Sequence, residues 1–108
     1  MARFVIDAAK ITDSETFHTE FARVLKFFDG YGRNMNAWID CMTDFHGESS
    51  LSGYHLPAGE DIELVLRDAE NFRIRCPKIA IDLFECTACA NRRYLEWNQQ
   101  ERIVLIPE

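Results

Sequence analysis

The chain carries a glycine-bracketed loop that runs into a short helix, Gly30-Tyr31-Gly32-Arg33-Asn34-Met35-Asn36-Ala37-Trp38-Ile39-Asp40-Cys41-Met42-Thr43-Asp44. Asn34 is placed to cap this helix, because its side-chain oxygen can accept a backbone N–H of the first turn. The next apolar residues have the spacing of one helical face, Met35, Trp38, Ile39 and Met42. The opposite face carries Asn36, Asp40, Thr43 and Asp44. The pattern predicts a helix docked through large apolar side chains, with an acidic surface toward water.

The predicted acidic surface lies in the part of the chain that holds most of the net charge. The chain has 108 residues and a net charge of −6, and residues 29–61 contain six acids against one base. Such a patch repels nucleic acid and attracts a basic protein, a polyamine or a metal cation. A solvated acidic face that only aids solubility is the alternative interpretation.

Length and composition indicate one globular domain, which we expect to span residues 1–108. Hydrophobic residues make up 47% of the chain. No apolar run approaches the roughly 18–20 residues that a membrane-spanning helix needs. The first seven residues lack the core of a signal peptide. We therefore expect a cytoplasmic protein without membrane contact, whose four cysteines stay reduced.

The order of strand and helix patterns predicts an α/β fold. Strand candidates lie at residues 3–7, 62–66 and 103–106. The first helix should start at a capping box of Thr12 and Glu15 and end at Asp29-Gly30. Two further helices are expected at 69–75, capped by Asp68, and at 77–98, and residues 47–60 form a long Gly/Ser/Pro connection. The longest helix carries Ile81, Phe84, Ala88 and Leu95 on one apolar stripe, with Ala80 and Leu83 beside it. Because helical crossovers join the strands, we expect a three-stranded parallel sheet packed by about four helices.

Reactive side chains form no recognisable catalytic or metal-binding motif. Cys86 and Cys89 make one C-x-x-C pair within a helix, and Cys76, His46 and His55 could complete a metal site only through the fold. His18 follows Phe17 on the first helix and is expected at the surface. Asp40 and Asp44 are one turn apart but lack a recognisable third partner. We expect no enzyme activity, no metal and no cofactor, while a thiol or metal-binding protein remains the alternative.

Residues 31–43 follow the run Y-G-x-N-φ-[DN]-A-φ-x-D-C-φ-T, where φ is a large apolar residue. In this run the chain resembles the barstar family, the intracellular inhibitors of barnase-type ribonucleases. The order of elements agrees along most of the chain, and the resemblance implies a two-layer domain with sheet order 1-2-3. It also implies that Asp40 mimics a phosphate in a nuclease active site. The partner-binding residues would be Gly30, Tyr31, Gly32, Asn34, Asn36, Ile39, Asp40, Thr43 and Asp44.

Three positions of this segment depart from the family pattern. Asn36 stands where an acid is frequent, and Ile39 and Gly30 stand where the family has aromatic residues. The family also has a second acidic contact on its long helix, for which Glu85 is a candidate. We therefore expect a monomeric, non-enzymatic inhibitor of a basic ribonuclease, such as the immunity partner of a nuclease toxin, with the identity of the nuclease open. A barstar-like scaffold that binds another basic protein remains an alternative.

Overall fold

The computed structural model describes residues 2–46 and 51–108, which form three strands and four α-helices. The first part of the predicted connection, residues 47–50 with Glu48, lies outside the described residues. The elements are β1 Ala2–Asp7, α1 Ser14–Leu25, α2 Met35–Met42, β2 Ile62–Arg67, α3 Ala69–Arg75, α4 Pro77–Glu96 and β3 Ile103–Pro107, with a 3₁₀ turn at Ala8–Lys10. This order confirms the predicted α/β fold.

The sheet has the order β1-β2-β3 with every strand parallel to its neighbour. One face is buried under the helices and carries Phe4, Ile6, Leu64 and Ile103. The other face carries the ion pair of Arg3 with Glu63, 2.9 Å between Nε and Oε1, and the partly exposed Val5 and Val104. The fold therefore has two layers, the sheet and the helices on one of its faces. Successive side chains of a strand point to opposite faces, so one set is buried and the other lies on the outer face.

An aromatic cluster joins α1 to α2. The Trp38 side chain is fully buried, and its ring centroid lies 5.6 Å from that of Phe21 in an edge-to-face contact. Phe17 packs on the same side, 4.7 Å from Phe21. Each such ring contributes about 1.5–3 kcal/mol by leaving water. Burial of Trp38 fixes the rotation of α2 and thereby decides which of its side chains face solvent.

Both predicted ends of α1 were wrong. The N-cap is Asp13 instead of Thr12, because the Asp13 carboxylate accepts the Thr16 N–H at 2.8 Å while the Thr16 hydroxyl accepts the Asp13 N–H at 3.0 Å. The helix ends at Leu25, before Asp29-Gly30, because Lys26 adopts a left-handed conformation with φ 54°. The Phe27 N–H then bonds to the Ala22 carbonyl, as in a Schellman ending. At α3 the bounds were right, but Asp68 makes no side-chain capping bond.

The apolar stripe of α4 is not its buried face. Its 20 residues begin at Pro77, as expected, and end at Glu96. The buried residues are Leu83, Thr87, Ala90 and Tyr94, whereas Ile81, Phe84, Ala88 and Leu95 are exposed. This face is buried because Tyr94 packs against the end of α2, where its hydroxyl donates to the Met42 carbonyl. Within the described part of the chain, no helix is both long and apolar enough to cross a bilayer.

Candidate functional site

The outer face of α2, defined here by Asn34, Asn36 and Asp40, is exposed as predicted. Asn34 caps the helix, because its Oδ1 accepts the Ala37 N–H at 2.8 Å. Asn36 and Asp40 follow on the same side, one turn apart, and the Asp40 side chain is 56% exposed. The face thus presents amide groups and one carboxylate on a capped helix.

The loop that leads into α2 is fixed from beneath by a buried pair of side chains. His18 was predicted at the surface, but it is only 2% exposed, and its Nδ1 is hydrogen-bonded to the Tyr31 hydroxyl. Burial, and then the positive charge of Arg33, lower the pKa of His18. Burial also raises the pKa of Tyr31, so both groups stay neutral. The prediction failed because the partner that satisfies His18 lies 13 positions further along the chain.

Arg33 gives the loop its second attachment. Its backbone adopts a left-handed conformation, φ 55°, which non-glycine residues rarely take. Its guanidinium donates to the Glu15 carbonyl at 2.8 Å and to the Thr19 hydroxyl at 2.7 Å, which ties the loop to α1. A Cβ on the neighbouring Gly32 would lie 3.3 Å from the Asn34 Nδ2 and crowd the cap. The loop is therefore held in one conformation by contacts on both sides of Gly32.

Three residues expected on the polar face or at the contact surface are buried or half-buried. Ile39 is 9% exposed and Thr43 is 8% exposed. The Thr43 hydroxyl donates to the Ile39 carbonyl at 2.8 Å. Asp44 is half-buried, and its Oδ2 accepts the Leu51 N–H at 3.0 Å. These side chains support α2 and the following connection, and their part in partner binding stays a prediction.

Arg93 of α4 is the site residue that the sequence did not reveal. Its Nη1 donates to Asp40 Oδ1 at 2.8 Å and to the Thr43 Oγ1 at 3.2 Å. The guanidinium also lies over the Trp97 ring, 5.8 Å from its centroid. In the part of the chain that the structure describes, Asp40 Oδ2 has no hydrogen-bond partner. Arg93 therefore offsets part of the charge of Asp40 and leaves one carboxylate oxygen open. No local pattern could show a contact across 53 positions.

A second histidine contact anchors the segment after α2. His46 Nδ1 lies 2.6 Å from the Leu56 carbonyl, and its Nε2 lies 2.7 Å from Glu101 Oε2. Glu101 also accepts the Gly59 N–H at 3.0 Å. Burial alone would raise the pKa of Glu101, but hydrogen bonds from its own backbone N–H, Gly59 and His46 hold it below its usual range. His46 therefore ties residues 51–60 to the start of β3.

Of the four cysteines, Cys41 and Cys76 are buried, Cys86 is half-buried and Cys89 is exposed. Burial, and then the charges of Asp40 and Asp44, raise the pKa of Cys41 to about 11. Burial likewise raises the pKa of Cys86, with Cys89 as the second cause, whereas a redox thiol needs a lowered value. Among residues 2–46 and 51–108, no group of three or more His, Cys, Asp or Glu side chains could hold a metal ion. The geometry gives no support to a thiol or metal site.

A family model described as Barstar (barnase inhibitor) matches residues 1–106. A search of curated proteins finds no match. The family match therefore runs from β1 to the fourth residue of β3 and includes the loop and α2.

Proposed function

The chain belongs to the barstar family, a family of barnase-type ribonuclease inhibitors and not of enzymes, and we propose that it blocks a basic ribonuclease with α2 and the preceding loop. The observation that carries this proposal is the exposed Asp40 carboxylate on the outer face of α2. A ribonuclease binds RNA through cationic side chains placed for phosphates. A carboxylate held at the same place satisfies those cations but offers no bond to cleave.

The support beneath Asp40 favours binding because little has to be ordered when a complex forms. The Asn34 cap, the buried Trp38 and the His18–Tyr31 pair hold the loop and helix from three directions. Ordering interface side chains and loops costs about 0.5–1.5 kcal/mol for each immobilised side chain. A preformed surface avoids much of this cost, so the charge interaction contributes more fully to affinity.

The proposed contacts divide according to exposure. Asp40 occupies a phosphate position, and Asn34 and Asn36 donate and accept hydrogen bonds around it. Gly30 and Gly32 are exposed and carry no side chain, so the nuclease can approach the loop backbone. The remaining predicted residues, Tyr31, Ile39, Thr43 and Asp44, support this surface from below.

Arg93 affects how a nuclease would engage Asp40. An exposed ion pair contributes about 0–1 kcal/mol, so nuclease cations can displace Arg93 or share its carboxylate at low cost. In a closed interface the same carboxylate, paired on both oxygens and shielded from water, fits the description of a binding hot spot. Asp40 is therefore weakly engaged in the free protein and available to a stronger partner.

Calorimetric titration tests the proposal. Barnase and a panel of other basic ribonucleases are titrated into the wild-type chain, Asp40→Ala and Glu70→Ala. Glu70 is an acid on α3, outside the proposed contact, with a side chain that is 72% exposed, so its variant changes net charge by the same amount. We expect Asp40→Ala to weaken binding at least about thirtyfold, as loss of a hot spot does, and Glu70→Ala to have only a small effect. The proposal is wrong if no nuclease binds, or if the two variants behave alike.

A role in the cell follows from the same mechanism. A cell that makes a ribonuclease needs an inhibitor in the compartment that holds its own RNA, so we propose a cytoplasmic immunity function. Bacteria that express, under an inducible promoter, the ribonuclease that the chain binds in the titration provide the assay. Growth should require the wild-type chain and should not be restored by Asp40→Ala produced at the same level. Equal growth with both proteins would contradict the immunity function.

A further inference from the structure

An unpartnered apolar face runs along α4. Ile81 is 57% exposed, Phe84 is 70% exposed and Leu95 is 62% exposed, and the small exposed Ala88 lies between them. The positions 81, 84 and 88 have the three- and four-residue spacing of the seam of a paired helix, and Leu95 follows one heptad after Ala88. The seam position between them is Asn91, whose side chain is hydrogen-bonded to Ile103 of β3. We call Ile81, Phe84, Ala88 and Leu95 the α4 stripe. An exposed apolar surface of this kind marks a site of association.

The α4 stripe continues into a groove between α3, α4 and the sheet. The groove encloses about 550 Å³ and is lined by Phe72, Pro77, Leu105 and Pro107 together with Ile81 and Phe84. Its wall is almost entirely apolar, with Arg73 and Glu85 at its rim. A side chain that packs against the stripe therefore finds apolar surface on the sheet side as well.

The α4 stripe and the Asp40 surface lie on different sides of α4. Arg93, which contacts Asp40, is five residues beyond Ala88, and five residues correspond to about 140° around a helix. A partner on the stripe would therefore leave the outer face of α2 open. A dimer through the stripe would engage Glu85, the candidate second acidic contact of the long helix, but it would leave Asp40 accessible.

We propose that the α4 stripe is the interface with a second copy of this chain, packed antiparallel about a two-fold axis at Ala88. In this arrangement Ile81 lies opposite Leu95 of the second copy, and the two Ala88 residues meet at the centre. Small residues at the crossing point let helices approach to about 8 Å. An isologous contact of this type closes on itself and gives a dimer.

Charge complementarity selects both the occupant and the direction. Glu85 and Arg92 are exposed beside the stripe and lie seven residues, or one heptad, apart. Within residues 2–46 and 51–108, neither has an ion pair or a hydrogen bond. Antiparallel packing about Ala88 places Glu85 within one residue, about 1.5 Å along the helix axis, of Arg92 of the second copy, and the symmetry repeats the pair. In a parallel arrangement the two Glu85 side chains would lie on opposite sides of the seam, as would the two Arg92 side chains, so this ion pair would not form.

Sedimentation equilibrium of the purified chain tests the dimer. We expect the apparent mass to rise from the monomer value of 12.6 kDa toward twice that value with increasing concentration. Phe84→Ser should abolish the rise, and circular dichroism should show an unchanged fold because Phe84 is largely exposed. A wild-type chain that stays monomeric up to about 1 mM, the range of a very weak complex, would overturn the proposal and leave the stripe to another protein or to none.

A charge exchange tests the antiparallel register. Glu85→Arg and Arg92→Glu should each weaken the dimer about tenfold, because each creates two like-charge contacts. The double variant, which exchanges the two charges, should recover most of the wild-type affinity. Glu15→Arg on α1 is the matched control, since Glu15 is exposed and far from the stripe in sequence. A dimer that is unaffected by the single changes, or is not restored in the double variant, would rule out this interface.

Discussion

Helices α2 and α4 both carry a regular apolar stripe, yet only that of α2 points inward. Trp38, Ile39 and Met42 are buried, whereas Ile81, Phe84 and Leu95 are exposed. Helix α2 has eight residues and only one apolar face, so that face is the one that packs against the core. Helix α4 has a second face with Leu83 and Tyr94, and that face packs against the core. Periodicity therefore identifies apolar faces, and the shape of the partner surface decides which of them is buried.

Truncating one aromatic residue on each helix should produce the largest difference in the free energy of unfolding between the two helices. Trp38→Ala removes a fully buried ring and should lower the free energy of unfolding by about 3–5 kcal/mol. Phe84→Ala removes a ring that is 70% exposed and should change it by less than about 0.5 kcal/mol. Urea unfolding at low protein concentration, where association through α4 does not contribute, measures both values.

If Phe84→Ala were as destabilising as Trp38→Ala in the dilute monomer, Phe84 would have to be part of the core, which would contradict its place on an exposed stripe. Trp38→Phe is a useful control, because it keeps an aromatic ring in the α1–α2 cluster. It should be much less destabilising than Trp38→Ala.

Features that depend on neighbouring residues could be predicted from the sequence, whereas contacts between separate elements could not. The parallel sheet, the start of α2 and the Asn34 cap could be predicted because they depend on crossovers and on residues within one helical turn, whereas α2 ends at Met42 and not near His46 as expected. The cap of α1 was misplaced by one residue because Thr12 and Asp13 are both good caps. The contacts of His18 with Tyr31 and of Asp40 with Arg93 join separate elements, so no local pattern contains them. The exposed part of the site was therefore predictable, and its supports were not.

A direct hydrogen bond between the two helices gives the next prediction. The Tyr94 hydroxyl of α4 donates to the Met42 carbonyl at the end of α2 at 2.7 Å, in a buried setting. Tyr94→Phe should lower the free energy of unfolding by about 1–3 kcal/mol, because the carbonyl is left without its donor. Denaturant unfolding measures the loss, and hydrogen exchange shows whether α2 is affected before α4. Uniform loss of protection in both helices would show that the bond supports the whole fold and not the end of α2.

Acid should lower the free energy of unfolding through the buried His18, which contacts Tyr31 in the loop before α2. Burial keeps the pKa of His18 below its ordinary value of 6.5, so the unfolded chain binds a proton that the folded chain does not. His18 therefore contributes its full stabilisation above pH 6.5, and this contribution is lost as the pH falls through the lowered pKa. The free energy of unfolding of the wild type should fall in this range.

A variant isolates the contribution of His18. His18→Gln keeps a polar group near the Tyr31 hydroxyl but cannot titrate, so its stability should depend less on pH between 6.5 and 4.5, above the range of the lowered carboxylates Glu20 and Glu101. Unfolding measured at intervals across this range gives both slopes. If the two slopes are the same, His18 does not carry the acid sensitivity.

The smallest expected change in stability concerns the ion pair between α2 and α4. Arg93→Gln removes a charge 2.8 Å from Asp40 Oδ1, and the exposed pair should contribute less than about 1 kcal/mol to folding. Its effect on binding should be larger, because Arg93 opposes the approach of a basic nuclease and competes for the carboxylate. We expect association with the nuclease to be several-fold faster in stopped-flow measurements at low salt. The gain should shrink in about 1 M salt, where the Debye length is about 3 Å.

Arg67→Gln is the matched control for this last change. Arg67 ends β2, its side chain is 64% exposed and lies 4.0 Å from Glu108, and it makes no contact with Asp40, so its variant alters net charge equally without freeing the Asp40 carboxylate. A faster association with Arg93→Gln alone identifies Arg93 as a competitor that a nuclease must displace. A loss of affinity with Arg93→Gln would mean the reverse. Arg93 would then stay on Asp40 in the complex as a positioning group, and the bound nuclease would have to present an acceptor to its free guanidinium edge.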